Sequence, residues 1–113
     1  MSKQYIPAIG DIISIDFEPS AGIEITKHRP GLVVSEASLN ASGYAFVIPI
    51  TITNREPALL YPEVKGANVT GYLYITQLRS LDFNVRQARF LEKIDPKTLA
   101  HVQAVLKHLM SIP

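Results

Sequence analysis

After a turn at Pro7, Gly10 and Asp11, hydrophobic and polar residues alternate with a period of two, which is the pattern of a half-buried β-strand. Ile13, Ile15 and Phe17 alternate with polar residues and predict a first strand that starts near Asp11. Further strands are predicted at Gly31 to Ser35, Tyr44 to Thr53, Tyr61 to Val64, Gly71 to Gln77 and Phe90 to Ile94, with one helical turn at Glu36 to Asn40 and a bend through Ser80, Asp82 and Asn84. Short strands with frequent turn signals predict a mainly β fold, a small antiparallel barrel.

The last part of the chain changes to a helical period. An apolar stripe recurs there at Leu99, Val102, Leu106 and Leu109. Asp95 is a good N-cap, and Pro96 suits the first helical position. We therefore predict one amphipathic helix from Asp95 to about Ser111, packed on the barrel.

The third predicted strand carries a proline in its interior. Because Pro49 has no N–H to donate to a strand ladder, it indicates a sheet edge, a bulge or a barrel bend. Side chains are often redirected towards a site at such places. Thr51 and Thr53, which follow it, share one face of the strand.

The composition narrows the class of protein. With 113 residues, 47% of them hydrophobic, we expect one domain spanning residues 1–113. The formal net charge of +1 means that any polyanion site must come from local clustering of cations. The absence of cysteine excludes disulfides and thiol chemistry. No apolar run approaches the roughly 20 residues that span a bilayer, so the expected location is the cytoplasm.

Local motifs do not support a metal or nucleotide site, and no cofactor is expected. Asp11 and Asp16 are five residues apart in a strand and hence on opposite faces. His101 and His108 are seven apart on a helix, which separates them by roughly 10 Å along the axis. The glycines are too dispersed for a phosphate loop, and a nucleophile-elbow motif is missing.

A polar set on and around the loops remains: Glu24, Lys27, His28, Arg29, Thr51, Thr53, Gln77, Arg79 and Arg86. Metal-free RNA cleavage needs a base for the 2′-hydroxyl, donors for the phosphorane charge and an acid for the leaving oxygen. Glu24, Arg29 and Thr51 can fill those needs, with His28 as an alternative acid or base. The competing interpretation is structural: Glu24 and Lys27 form a surface pair, and Arg86 neutralises a loop.

The order of short motifs carries a family resemblance. The series is Tyr5-Ile6-Pro7, Gly10-Asp11-Ile12, Asp16-Phe17-Glu18-Pro19, Gly22-Ile23-Glu24, His28-Arg29-Pro30, Val33-Val34-Ser35, Pro49-Ile50-Thr51, Tyr61-Pro62-Glu63-Val64, Gln77-Leu78-Arg79-Ser80 and Arg86. The chain resembles the MazF/PemK family of toxin endoribonucleases, and is closer to the MazF branch. The resemblance covers nearly the whole chain, including the closing helix.

The resemblance implies an SH3-like barrel with short helical insertions and a homodimer that belongs to a type II toxin-antitoxin system. It implies metal-independent, sequence-specific cleavage of single-stranded mRNA, which leaves a 2′,3′-cyclic phosphate and a 5′-hydroxyl and inhibits translation and growth. It also implies a cognate antitoxin whose acidic tail covers the RNA site.

The same resemblance assigns roles to individual residues. Arg29 and Thr51 match the family's catalytic arginine and threonine, and Glu24 matches a polar position beside them. Gln77 and Arg86 match positions associated with the RNA groove, and His28 matches a polar position near the centre. With Lys27, Thr53 and Arg79 of the polar set, they form the predicted RNA-binding residues. Because a guanidinium is a very poor acid, we expect Arg29 to act mainly electrostatically. Whether His28 takes part in the chemistry or only lines the groove stays open.

Two positions depart from the family pattern. Thr76 stands where an aspartate is common, which could alter base preference or dimer contacts. Ile52 stands where Ser or Thr is common, which removes a possible hydroxyl donor and could move that role to Thr53. Two rival functions also remain: a CcdB-type toxin that binds DNA gyrase without cutting nucleic acid, and a structural dimer with a decayed site.

Overall fold

The computed structural model describes residues 4–17 and 28–113 and is mainly β. Seven antiparallel strands form one curled sheet: β1 Asp11–Asp16, β2 His28–Val33, β3 Tyr44–Thr51, β4 Glu63–Lys65, β5 Thr70–Leu73, β6 Arg79–Asp82 and β7 Arg89–Lys93. The helices are α1 Ala37–Asn40, a single 3₁₀ turn Ile75–Gln77 and α2 Pro96–Leu109. The predicted fold class, with its C-terminal helix, is confirmed.

The long strand β3 organises the sheet. The strand order is β4-β5-β3-β2-β1-β7, and β6 also pairs with β3. One edge of β3 therefore meets β2, while its other edge meets β6 along its first half and β5 along its end. The bend predicted through Ser80 and Asp82 is wrong, because this segment pairs with Tyr44–Val47 as strand β6.

Pro49 lies where β3 changes partner. Its carbonyl accepts a hydrogen bond from the Tyr74 N–H at 2.9 Å, so this residue faces the edge shared by β6 and β5. The N–H and C=O of one strand residue point to the same edge. The position where Pro49 lacks an N–H therefore lies between the segment of β3 that pairs with β6 and the segment that pairs with β5. The ladder along this edge of β3 is interrupted there.

The two faces of the sheet bury separate cores. One core contains Ile12, packs against Val102 and Val105 of α2, and includes Leu32, Ile48 and Leu73. The other contains Ile13 and Ile15 with Val33, Ala45, Val47, Leu81 and Phe83. Every residue of β1 except Ser14 is therefore buried. The prediction of a half-buried strand is wrong, since β1 lies between β2 and β7 and both of its faces are covered.

Helix α2 begins as its sequence predicts. The Asp95 carboxylate accepts hydrogen bonds from the Thr98 backbone N–H at 3.0 Å and from its hydroxyl at 2.8 Å. These two bonds hold the pKa of Asp95 below its ordinary value, and the bond from the Thr98 backbone N–H has the larger effect. The helix ends at Leu109, two residues before the predicted end. Within the described part of the chain, no helix is long and apolar enough to cross a membrane.

The remaining strands differ from prediction mainly at their ends. Strand β2 begins at His28 rather than Gly31, so Arg29 belongs to the strand instead of the loop before it. The predicted strand from Gly71 to Gln77 is divided into β5 and the 3₁₀ turn. The second change matters for the site, because the turn directs Gln77 towards the end of β3.

Candidate active site

Arg29 and Thr51 lie 22 positions apart in sequence but are brought together by strand register. Gly31 pairs with Pro49 across β2 and β3. Arg29 lies two residues before Gly31 and Thr51 two residues after Pro49, so both lie beyond the last paired position at the same end of the two strands. Residues two apart on a strand share one face, so both side chains lie on the face of the Gly31/Pro49 pair. The catalytic pair implied by the resemblance therefore meets at one end of this strand pair.

Both residues line a groove of about 370 Å³. Its described lining is Arg29, Pro49, Thr51, Arg55, Tyr61, Tyr74, Thr76, Gln77 and Arg79. Three of these residues are arginines, and within residues 4–17 and 28–113 none is a carboxylate. Since an arginine keeps its charge at any physiological pH, the groove attracts anions.

The side chains that line this groove differ in whether they already have hydrogen-bond partners in the described part of the chain. The Thr51 hydroxyl oxygen is buried and has no partner among the described residues. Arg79 differs, since it donates to the Phe17 carbonyl at 3.3 Å and lies over the Phe17 ring at 5.4 Å. A buried hydroxyl without a partner is unusual in a folded protein and needs an explanation. A ligand oxygen that accepts from it supplies one.

A protein-family model described as the PemK-like, MazF-like toxin of type II toxin-antitoxin systems matches residues 8–110. The chain belongs to this family. The predicted family is therefore confirmed, and the match spans all seven strands and helix α2 up to its end.

Curated relatives and solved structures agree with this assignment. The chain is 28% identical over 114 aligned residues to the endoribonuclease toxin MazF of Escherichia coli K12, covering 97% of this chain and 99% of that protein. It is 29% identical over 107 residues to the endoribonuclease toxin ChpB of the same organism, covering 87% of this chain and 92% of ChpB. A crystal structure of MazE-MazF from Deinococcus radiodurans superposes with a TM-score of 0.83 at 28% identity, covering 97% of this chain and all of that one. The predicted enzyme class, endoribonuclease, is confirmed by the family and these relatives.

This MazF-like toxin brings only part of the predicted RNA-binding set into the groove. Gln77 and Arg79 line it directly. Thr53 is not in the lining, but its carbonyl accepts the Tyr74 hydroxyl at 2.9 Å. Glu24 and Lys27 lie outside the described residues. The structure therefore assembles Arg29, Thr51, Gln77 and Arg79.

His28 and Arg86 lie away from this groove. His28 neighbours Arg29 on β2 and so faces the opposite side of the sheet, where it lines a separate depression with Gln87, Ala88 and Arg89. Arg86 donates to the Asp16 carbonyl at 3.0 Å, and its own carbonyl accepts from the Asp16 N–H at 3.3 Å. In this MazF-like toxin Arg86 ties the end of β1 to the loop before β7.

The acidic residues considered for a metal site also have structural partners. Asp11 is buried, and its carboxylate accepts hydrogen bonds from the Tyr5 hydroxyl at 2.6 Å and from the Ala8 N–H at 2.9 Å. It also forms an ion pair with Lys93, whose Nζ lies 2.5 Å from the Asp11 Oδ1. Burial of the Tyr5 hydroxyl raises its pKa well above the ordinary value, and the hydrogen bond to Asp11 raises it further. Within residues 4–17 and 28–113 no three potential ligands converge on a metal position.

Three lining residues were missed by the sequence analysis: Arg55, Tyr61 and Tyr74. The signal for Arg55 was a lone cation in the loop after Thr53. Tyr74 lies next to Pro49 across the sheet, but this position can be recognised only once the pairing of β3 with β5 is known. The two residues that depart from the family pattern lie in different places. Thr76 lines the groove, whereas Ile52 is not part of its lining and is 90% exposed.

Proposed function

We propose that this MazF-like toxin cleaves single-stranded RNA by metal-independent transesterification in the groove between Arg29 and Thr51. The observation that carries the proposal is that Arg29 and Thr51 line the same groove. Arg29, a Thr51 hydroxyl that has no partner among residues 4–17 and 28–113, and two further arginines in one groove fit a phosphodiester.

In the proposed reaction the 2′-oxygen attacks the neighbouring phosphorus, and the bond from phosphorus to the 5′-oxygen breaks. The products are a 2′,3′-cyclic phosphate and a 5′-hydroxyl. Arg29 stabilises the negative charge that develops on the phosphorane oxygens. The Thr51 hydroxyl donates a hydrogen bond to a phosphate oxygen and so orients the phosphorus for attack.

Two proton transfers remain to be assigned. Glu24 is the carboxylate that takes the proton of the attacking 2′-hydroxyl, and the leaving 5′-oxygen takes a proton from solvent. His28 is assigned no chemical step, because it faces the other side of β2 from Arg29. Lys27 and Arg79 are assigned to the RNA backbone.

The test is incubation of the protein with a long transcript in EDTA, followed by mapping of the new 5′ ends. We expect cleavage at short, defined sequences. Arg29→Ala should lower the rate by about 10²- to 10³-fold, because it removes a charged donor to the transition state. The matched control is Arg89→Ala, an exposed arginine in the other depression, which should cleave like the wild type.

Two outcomes would remove this function. Equal cleavage by Arg29→Ala would show that the activity does not come from this groove. Intact RNA together with inhibition of gyrase supercoiling would favour the CcdB-type function instead.

The proposed partners are a second copy of the chain and an antitoxin with an acidic tail. Three arginines in one groove suit a chain of carboxylates that competes with RNA. Large apolar side chains that are half exposed, such as Tyr44, Phe46 and Phe90, suit an interface between copies. Light scattering should give twice the chain mass of 12.5 kDa, and an acidic peptide should inhibit cleavage in a salt-dependent manner.

A further inference from the structure

An aromatic cluster extends the groove beyond Arg29 and Thr51. The rings of Tyr61 and Tyr74 meet edge to face, with centroids 5.0 Å apart and an interplanar angle of 78°. The Arg55 guanidinium lies 5.6 Å from the centre of the Tyr74 ring. We call these three residues the stacking cluster. All three line the same groove as the Arg29/Thr51 pair.

The Tyr74 ring is held in place from two directions. Its hydroxyl donates to the Thr53 carbonyl at 2.9 Å, and its backbone N–H donates to the Pro49 carbonyl at 2.9 Å. The loop that carries Tyr61 is fixed as well, because the Ile75 N–H donates to the Leu60 carbonyl at 3.2 Å. A ring anchored in this way loses little freedom when a ligand packs on it.

The stacking cluster does not serve the hydrophobic cores. Tyr61 and Tyr74 are only partly buried and belong to neither core, and Arg55 is exposed. Aromatic rings next to cations in an open groove are the usual arrangement for unpaired nucleic acid bases, which stack on rings while the cations meet the phosphates.

We propose that Tyr74, with Arg55 over it and Tyr61 against it, stacks one unpaired base of the RNA next to the phosphate at Arg29. This inference rests on the proposed function and adds the residues that hold the flanking nucleotide. Tyr74 supplies the ring, Arg55 pairs with the adjoining phosphate or covers the base, and Tyr61 fixes the ring orientation. Thr76, which lies 3.5 Å from the Tyr61 hydroxyl, is placed to contact an edge of that base.

The first experiment measures affinity without cleavage. The probe is a short random-sequence RNA with 2′-O-methyl groups, which lack the attacking hydroxyl, and binding is followed by fluorescence anisotropy in EDTA. Tyr74→Leu should weaken binding roughly 5- to 150-fold, the range for loss of one base stack. Tyr74→Phe keeps the ring and should bind within about twofold of the wild type. Tyr72→Leu makes the same change on β5 outside the groove lining and should bind like the wild type.

The second experiment detects stacking directly. The chain contains no tryptophan, so Tyr74→Trp introduces a single indole whose emission a stacked base should quench. Tyr72→Trp is the matched control and should not be quenched. This readout does not depend on Tyr74→Leu being folded, and thermal unfolding of each variant checks its integrity.

The outcomes separate the two proposals. Undiminished affinity in folded Tyr74→Leu, or RNA binding without quenching in Tyr74→Trp, would overturn the stacking site even if the wild type cleaves RNA. Quenching and weakened binding in a protein that leaves ordinary RNA intact would support the stacking site while removing the nuclease. A wild type that does not bind the probe would overturn the stacking site.

Discussion

At Thr51 we expect the side-chain hydroxyl to lower the stability of the fold while it supports RNA cleavage. Its oxygen is buried without a partner among the described residues, which leaves its desolvation uncompensated. Thr51→Val replaces the hydroxyl with a methyl group of similar shape. We expect the free energy of unfolding to rise by about 1 kcal/mol, while RNA cleavage falls by about 10²-fold or more. Urea denaturation and a cleavage assay on one preparation measure both.

Thr53→Val is the matched control for this prediction. Thr53 is exposed and contributes its backbone carbonyl, not its hydroxyl, to the contact with Tyr74. We expect a change within about 0.5 kcal/mol. A marked loss of stability in Thr51→Val would show that the hydroxyl has a partner in the folded protein and would contradict the interpretation.

Arg86 is expected to act on stability. Its guanidinium donates to the Asp16 carbonyl at 3.0 Å, and the backbones of the two residues are also joined. Arg86→Ala should lower the free energy of unfolding by about 2 kcal/mol, because a hydrogen bond from a charged donor is lost. Arg89→Ala, three residues further and exposed, should change it by less than about 0.5 kcal/mol. A larger loss of RNA affinity in folded Arg86→Ala than in folded Arg89→Ala would show that Arg86 also contacts RNA.

The sequence allows some of the site residues to be anticipated but not others. Arg29 and Thr51 stand in short motifs, Arg-Pro and Pro-Ile-Thr, that the family resemblance brings out. Arg55 and Tyr74 are not in such motifs. Their place in the groove depends on how the 3₁₀ turn and the loop after β3 fold over the sheet, and residue types alone do not determine loop conformation.

At the level of single elements, the N-cap of α2 gives a pH-dependent prediction. Hydrogen bonds from Thr98 lower the pKa of Asp95 below its ordinary 3.8 in the folded protein. A lowered folded-state pKa adds stability that is present above the unfolded value and lost as pH falls through the folded one. The advantage of the wild type over Asp95→Asn should therefore be present at neutral pH and vanish in acid.

Unfolding midpoints of the two proteins, measured from neutral pH to well below 3.8, test this sign. The effect is small because the carboxylate is fully exposed. A difference that stays constant down to the lowest pH would mean that the charge of Asp95 does not contribute to the cap.

The elements that were predicted well are those whose signals are local. Asp95 and Pro96 mark the start of α2 within one turn, so the helix is found from its own residues. Strand β6 was missed because its turn-like residues become a strand only by pairing with β3. The burial of both faces of β1 was missed for the same reason, since it depends on which elements cover the sheet.

At the scale of the whole molecule, the two outer strands of the sheet path are linked by a side chain. β4 and β7 stand at opposite ends of the strand order. The Glu92 carboxylate on β7 accepts three backbone N–H groups of the turn after β4, from Ala67 at 3.0 Å, Asn68 at 2.8 Å and Val69 at 2.7 Å. A Cβ on Gly66 would lie 2.6 Å from this carboxylate, so a larger residue there would have to displace the Glu92 side chain. Glu92 therefore closes the curled sheet where strand pairing does not.

Removing this carboxylate should loosen the closure of the sheet. Glu92→Ala leaves three turn N–H groups without their acceptor, and we expect the free energy of unfolding to fall by about 2 kcal/mol. The matched control is Glu63→Ala on β4, whose carboxylate pairs with the exposed Lys65 ammonium at 3.8 Å and should contribute less than about 1 kcal/mol. Hydrogen exchange locates the effect: the Ala67, Asn68 and Val69 amides should exchange faster in Glu92→Ala. Amides of β2, which is not paired with β7, should change only as much as global stability does. Unchanged exchange at these three amides would show that the turn keeps its shape without Glu92.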